Sequence, residues 1–192
     1  MHYNVLITGA NSGLGKSLAI KFKLEGHFVF EHLGHNHFDL SEIEDIELLI
    51  KEAKSSKVNV LINNAAILCP NIEFSSYDTN KIARMINVNL LAPILLIHGL
   101  KDHLLNVINI NSIVALETKK NRMIYSATKC GLSGFSESLK ISDDKLKILD
   151  VYSTNIKTNS SIKNAMELDF VVNSIYGAFI NQQEKLILDG RN

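Results

Sequence analysis

Short apolar runs free of charge alternate with longer amphipathic stretches along the whole chain, and this alternation limits its possible folds more than any other feature. Asn4–Thr8, centred on Val5, Leu6 and Ile7, reads as a first strand. Residues 13–25 read as a helix with Leu14, Leu18, Phe22 and Leu24 as its apolar stripe and Gly26 as its stop. Phe28–Phe30 reads as a second strand. Ser41 followed by Glu44 reads as a capping box opening a helix with Ile43, Ile46, Leu49, Ile50 and Ala53 on one side. Val58–Ile62 is bare of charge, as a strand buried on both faces should be. A helical region over about 78–103, bent at Pro93, precedes a strand at Val107–Ile110. Residues 123–140 read as a helix and Leu146–Val151 as a strand, and a last helix and strand end at Leu186–Leu188.

Such alternation implies an α/β fold: a doubly wound, mostly parallel sheet with helices on both faces. A chain of 192 residues, 46% hydrophobic, suits one domain with a sizeable core, taken as 1–192 with a short substrate segment at about 152–168. Only His35–Asn36–His37 links the second strand to Phe38–Asp39–Leu40, which leaves no room for a crossover helix. The third strand is therefore expected to be short or irregular.

Twenty basic and twenty acidic residues cancel, which points away from nucleic acid and from an anionic membrane surface as partners. Val5–Leu6–Ile7 is too short for a signal core, and Leu90–Ile97 falls short of the roughly 20 residues of a membrane span. Cys69 and Cys130 lack metal-ligand or redox spacing and read as free thiols of a reduced cytoplasm. No metal is expected: His32, His35 and His37 have no acidic or cysteine partner at a diagnostic spacing and read as a solvated loop. Cys130 reads as a small packing residue, and Lys119, Lys120 and Arg122 as a solvated basic run beside the site, with a role toward an anionic substrate the lesser alternative.

Gly9, Gly13 and Gly15 lie where the first strand turns into the first helix, in Thr8-Gly9-Ala10-Asn11-Ser12-Gly13-Leu14-Gly15. One glycine makes a tight turn, one lets the backbone approach a pyrophosphate, and one lets helix and strand pack closely. The helix N-terminus then turns free N–H groups toward the phosphates. Further on, Tyr125 and Lys129 stand four apart and so share a helix face. A lysine charge about 5 Å from the phenol, at an effective dielectric of about 20, is worth on the order of 3 kcal/mol. That would lower the tyrosine pKa by roughly two units, toward the range of a proton shuttle. The glycine turn, Asn63–Ala66 and Ser112 each follow a strand of one parallel sheet, and Tyr125 and Lys129 open the next helix. All should meet at the sheet edge where open α/β folds bind ligands.

These motifs resemble the short-chain dehydrogenase/reductase family over almost the whole chain. The glycine turn is similar to its Thr-Gly-x-x-x-Gly-x-Gly loop, Asn63-Asn64-Ala65-Ala66 to its Asn-Asn-Ala-Gly, Asp39-Leu40 to its Asp-Val pair, and Leu188-Asp189-Gly190 to its terminal strand. Asn109-Ile110-Asn111-Ser112 resembles its Asn-Ile-Ser-Ser, and Asn89, in Asn87-Val88-Asn89, stands where the family has its catalytic asparagine. The resemblance implies a Rossmann-type fold and a nicotinamide-dependent oxidoreductase interconverting a carbonyl and an alcohol on a small molecule. It implies that Ser112 holds the substrate oxygen, Tyr125 transfers the proton, Lys129 lowers the tyrosine pKa and binds the ribose, and Asn89 anchors a water leading to the lysine. Cofactor contacts are implied for Gly9, Asn11, Ser12, Gly13, Leu14, Gly15, Asp39, Leu40, Asn64, Ala65, Ala66, Tyr125, Lys129 and Thr158.

The family also pairs the helices at 78–103 and 123–140 across two-fold axes, which implies a homodimer or homotetramer. Ser153-Thr154 replaces the family's Pro-Gly, and the covering segment at about 159–167 is brief, so substrate identity is left open. The carboxylate that selects NAD(H) would fall on Leu33, followed by Gly34; neither carries one, and Glu31 lies two residues early. With His32 and His35 as donors, NADP(H) is expected to be preferred by a modest factor, with NAD(H) the alternative. Two other readings are a non-catalytic NAD(P)-binding sensor or assembly subunit and a nucleotide-sugar-modifying relative. The first usually lacks the tyrosine or lysine, and the second needs a larger C-terminal region.

Overall fold

The computed structural model describes residues 2–68, 73–117, 119–158 and 165–191. Cys69 and residues 159–164 of the expected covering segment lie outside them. The strands are β1 (Asn4–Ile7), β2 (Phe28–Glu31), β3 (Val60–Asn63), β4 (Asn106–Ser112), β5 (Lys147–Ser153), a short pair β6 (Ile156–Lys157) and β7 (Met166–Glu167), and β8 (Lys185–Leu188). Six of them form one sheet in the order β2-β1-β3-β4-β5-β8, parallel at every pairing. The helices are α1 (Gly13–Leu24), α2 (Ile43–Ser55), α3 (Thr79–Ile86), α4 (Ala92–Leu100), α5 (Met123–Ser142) and α6 (Leu168–Ile180).

Alternate side chains of a strand point to opposite faces, so β1 feeds two cores. Val5 and Ile7 join Leu18 and Phe22 of α1 and Val171 and Ile175 of α6. Leu6 joins Ile46 and Leu49 of α2 and Ala92, Leu96 and Leu100 of α4 on the other face. The sheet is therefore covered on both sides. A polar row crosses its middle: Asn63, Asn109 and Asp150 are aligned across β3, β4 and β5. Asn63 donates to Asn109, Asn109 donates to Ser136 and Asp150, and Lys140 closes the row on Asp150.

Several expectations need correction. No strand forms at Phe38–Leu40 among the described residues; Phe38 and Leu40 instead bury their side chains beside α2. The capping box does not form, because the Asp39 carboxylate captures both the N–H and the hydroxyl of Ser41. The helix starts two residues later, at Ile43. Leu24 leaves the apolar stripe of α1 and is 80% exposed. Just before Pro93 the ladder widens, over Asn87–Leu91, where the Ala92 N–H reaches back five residues to Asn87. A proline has no N–H to give, and the wider turn absorbs that loss. By length and composition the continuous stretch Thr79–Leu100 could cross a membrane, with a mean hydropathy of 1.5. The apolar run is longer than Leu90–Ile97 because the helix is unbroken, and Ala92, Leu96 and Leu100 of it are packed in the core.

Candidate active site

The loops at the carboxyl ends of β1 and β3 are bolted together. The Thr8 hydroxyl accepts from the backbone N–H groups of Asn64 and Ala65, both at 3.0 Å. The Asn64 amide donates to the carbonyls of Thr8 and Gly9, at 2.8 and 3.1 Å. Space here admits glycine alone. A Cβ on Gly15 would lie 2.3 Å from the Gly9 carbonyl oxygen, and Gly9 itself has φ +66°. No side chain caps the N-terminus of α1 at Ser12. Its first N–H groups are thus available to an acceptor from outside.

His32 is the residue that sequence reasoning misjudged. It is buried, not solvated. Its Nδ1 accepts from the Gly9 N–H at 3.1 Å, and its Nε2 lies 2.8 Å from the Phe38 carbonyl. That pattern requires a neutral ring with its proton on Nε2, and burial, opposed by the Phe38 bond, lowers the pKa in agreement. His32 has no donor left for a phosphate. Glu31 is held by Lys23, so neither residue is free to serve a ribose. His35 remains on the cavity wall. His37 stacks on His32 with ring centroids 6.3 Å apart, but His35 and His37 are exposed, and no group of three metal-ligating side chains gathers among the described residues. No motif marks a histidine as a buried clamp, since both of its partners are backbone groups brought in by the fold.

A single cavity of about 830 Å³ runs over the sheet edge. Asn11, Ser12, Gly13, Leu14 and the other two glycines of the turn form its middle, and Asn64, Ala65, Ala66 and Thr158 flank them. Asp39 and Leu40 line one end together with Arg84, whose guanidinium bonds the Asp39 carboxylate at 2.8 Å. Burial raises the Asp39 pKa, but the Ser41 hydrogen bonds and the Arg84 charge outweigh it and hold the carboxyl below its ordinary value. Arg84 lies 45 residues from Asp39, and no sequence signal pairs them.

Ser112, Tyr125 and Lys129 line the other end. Ser112 is the last residue of β4, while Tyr125 and Lys129 stand in the first two turns of α5 and are buried. The Lys129 ammonium donates to the Ile110 carbonyl at 2.8 Å and lies 5.8 Å from the centre of the Tyr125 ring. Asn111 ties strand to helix, donating to the Lys129 carbonyl and accepting the Ser112 N–H. Asn89 is buried behind the cavity and is not on its wall. Its side chain accepts the Ile67 N–H at 2.7 Å and donates to the Ile67 carbonyl at 3.0 Å. It therefore pins the loop that leaves the Asn63–Ala66 turn.

The Tyr125 pKa is raised, not lowered as expected. Burial raises it, with the Ser112 hydrogen bond and the Arg122 charge acting in the opposite direction. Lys129, whose own burial lowers its pKa to about 8, is not among the groups that shift the tyrosine. Both results have one cause, the cost of holding charge away from water.

A parallel sheet with a glycine turn after its first strand and a tyrosine and a lysine beside the crevice defines a dinucleotide-binding protein of the doubly wound class. The short-chain dehydrogenase family model matches residues 31–167, and the chain belongs to that family, whose members are NAD(P)(H)-dependent oxidoreductases. It is 30% identical over 181 residues to the 3-oxoacyl-(acyl-carrier-protein) reductase of Buchnera aphidicola from Schizaphis graminum, covering 80% of this chain and 73% of that protein. Among solved structures it resembles a bulky-bulky ketone specific alcohol dehydrogenase from Comamonas testosteroni, with a TM-score of 0.85, 21% identity and coverage of 96% and 85% of the two chains. It also resembles a 4-hydroxyisoleucine dehydrogenase complexed with NADH, with a TM-score of 0.84, 20% identity and coverage of 98% and 97%.

Proposed function

We propose that this protein reduces a carbonyl on a small molecule to an alcohol with a nicotinamide cofactor, and catalyses the reverse reaction when the alcohol is in excess. The observation that carries this reading is the meeting of Ser112, Tyr125 and Lys129 at one end of the cavity whose middle is the glycine turn. The chain's own residues fit such a cofactor. The glycine turn lines the cavity and presents to it the N-terminus of α1, which no side chain caps. Lys129 has three ammonium protons and spends one on Ile110, which leaves two for ribose hydroxyls. When bound, the cofactor supplies or accepts the hydride.

In this mechanism Ser112 donates to the substrate oxygen and orients it. Tyr125, kept protonated by its burial, gives its phenolic proton to that oxygen as negative charge develops there. Lys129 stabilises the phenolate left behind and is charged at neutral pH, below its pKa of about 8. Asn89 acts as a positioning residue that fixes the Ile67 backbone beside the site. The Gly loop N–H groups take the pyrophosphate, and Asp39, Leu40 and the Asn64–Ala66 turn take the adenosine half. Thr158, beside Gly13, also contacts the cofactor, and the segment from about 152 to 168 borders the substrate.

NADP(H) remains our preferred cofactor, with His35 as the one histidine donor left to a 2′-phosphate. We further propose a homodimer or homotetramer built on the helices that contain α4 and α5, supported by the outward Ile86, 40% exposed in a helix of this apolar character. Light scattering at tens of micromolar tests it, and a monomer there would count against it. A cytoplasmic place belongs to the same proposal, supported by the free thiol of Cys130. The test of the catalytic reading is a panel of ketones and aldehydes scored by nicotinamide absorbance. Turnover that survives Tyr125→Phe unchanged would remove it.

A further inference from the structure

The cavity wall has an uneven charge distribution. Its carboxylate is Asp39, at the far end, and Arg84 neutralises it. At the Ser112–Tyr125 end the wall holds three cationic side chains, Lys119, Arg122 and Lys129, and no carboxylate among the described residues. Lys129 is committed to the Ile110 carbonyl, whereas neither Lys119 nor Arg122 is in a salt bridge among the described residues.

Acids do lie nearby, but they are spent on another partner. Glu117 and Asp189 both bond Arg191, which clamps the end of β8 to the loop after β4. The clamp takes up the hydrogen bonds of both carboxylates, but their charges still reach Lys119, so Arg122 is the cation on this wall with no acid acting on it among the described residues. Asn121, with φ +60°, turns the chain just ahead of α5, and Arg122 follows it on the cavity wall. Arg122 is close enough to Tyr125 for its charge to act on the phenol. A neutral ketone needs none of this, and like charges facing one cavity repel each other.

We infer that the substrate carries an anionic group, a carboxylate or a phosphate, and that Arg122 and Lys119 bind it while its carbonyl sits between Ser112 and Tyr125. This rests on the catalytic reading above. Arg122 offers a planar fork suited to either anion, and Lys119 a point charge at the rim. The pair are specificity-determining residues.

The experiment uses the protein with reduced cofactor and matched substrates: oxo acids of increasing chain length against their methyl esters, and hydroxyketone phosphates against their dephosphorylated forms. The carboxylate and phosphate arms separate the two sources of charge. We expect the charged member of the working pair to have a KM lower by about 10-fold or more. Arg122→Gln should raise that KM about 10-fold and Lys119→Gln about 3-fold, with less than about 2-fold change for the neutral member and for cofactor affinity. Added salt should raise the KM of the charged member alone. A second readout needs no turnover: hydroxy acids and their esters are titrated against the fluorescence of the bound reduced cofactor. Neutral members bound or turned over as well as charged ones, or variants that weaken both alike, would overturn the inference. Cofactor binding with selective hydroxy-acid binding but no turnover would uphold it while removing the catalytic reading.

Discussion

The two ends of the cavity are built on opposite electrostatic plans. At the Asp39 end a carboxylate meets a guanidinium and two Ser41 donors, so the charges cancel and the geometry is braced. At the Tyr125 end a buried ammonium has a carbonyl for its partner, and the two rim cations have no acid on the wall. A braced pair gives shape at little net charge. An unbraced cation retains its field, and its desolvation opposes folding. The cost can be sized for Lys129: a drop in pKa from 10.5 to about 8 corresponds to about 3 kcal/mol against the charged form.

The sharpest way to break this contrast is to remove the group at its centre. Tyr125→Phe should lower kcat by about 1000-fold, in the range of general acid catalysis, with cofactor affinity changed less than about 2-fold. Steady-state rates on a verified substrate and fluorescence titration of the reduced cofactor measure the two quantities. A variant that keeps its rate would show that the proton travels by another route.

Lys129→Met should abolish activity and weaken cofactor binding, yet make the cofactor-free protein more stable, by about 2 kcal/mol after loss of the Ile110 hydrogen bond is subtracted. The folded pKa lies below the unfolded one, so the penalty on the wild type is fully present below pH 8 and is relieved between about 8 and 10.5. Denaturant melts across that window should show the advantage of the variant shrinking as pH rises. A variant less stable at pH 7 would mean that Lys129 gains more from its surroundings than its burial costs.

His32→Ala tests the bracing of the glycine turn. It leaves the Gly9 N–H without its acceptor and should cost about 2 kcal/mol of stability and several-fold in cofactor affinity. The lowered pKa of His32 gives the pH dependence its sign: the unfolded chain takes up the proton first. Stability contributed by the neutral ring is therefore present above pH 6.5 and falls as the pH drops below it. The variant should lose that slope. The smallest effect expected is cofactor choice. NADPH should bind about 3-fold more tightly than NADH, and His35→Ala should erase the difference. Tighter NADH binding from the start would mean that Glu31 leaves Lys23 when the cofactor enters.

Residues acting through backbone and spacing were readable before any coordinates. The glycines at 9, 13 and 15 announce themselves because space between a first strand and helix admits nothing larger, and Tyr125 and Lys129 because a helix brings positions four apart to one face. The alternation of apolar and amphipathic runs determined the parallel sheet for the same reason: period and length are local properties. Ser41 misled because a nearby carboxylate, Asp39, outcompeted the helix end for its hydroxyl. The widening of the helix ahead of Pro93 left no mark in the sequence beyond the proline itself.

What the sequence by itself determined is the order of the elements, the sheet edge where they converge and the residue types gathered there. Only the tertiary structure decided which of those groups are charged, braced or free. His32 became a neutral clamp because burial and two backbone partners met around it, from Gly9 on one side and Phe38 on the other. Arg191 took the hydrogen bonds of Glu117, 74 residues back along the chain, and left Arg122 as the cation of the cavity rim without an acid partner among the described residues. Burial depth and partners distant along the chain set protonation and pairing, and neither is encoded in a local pattern.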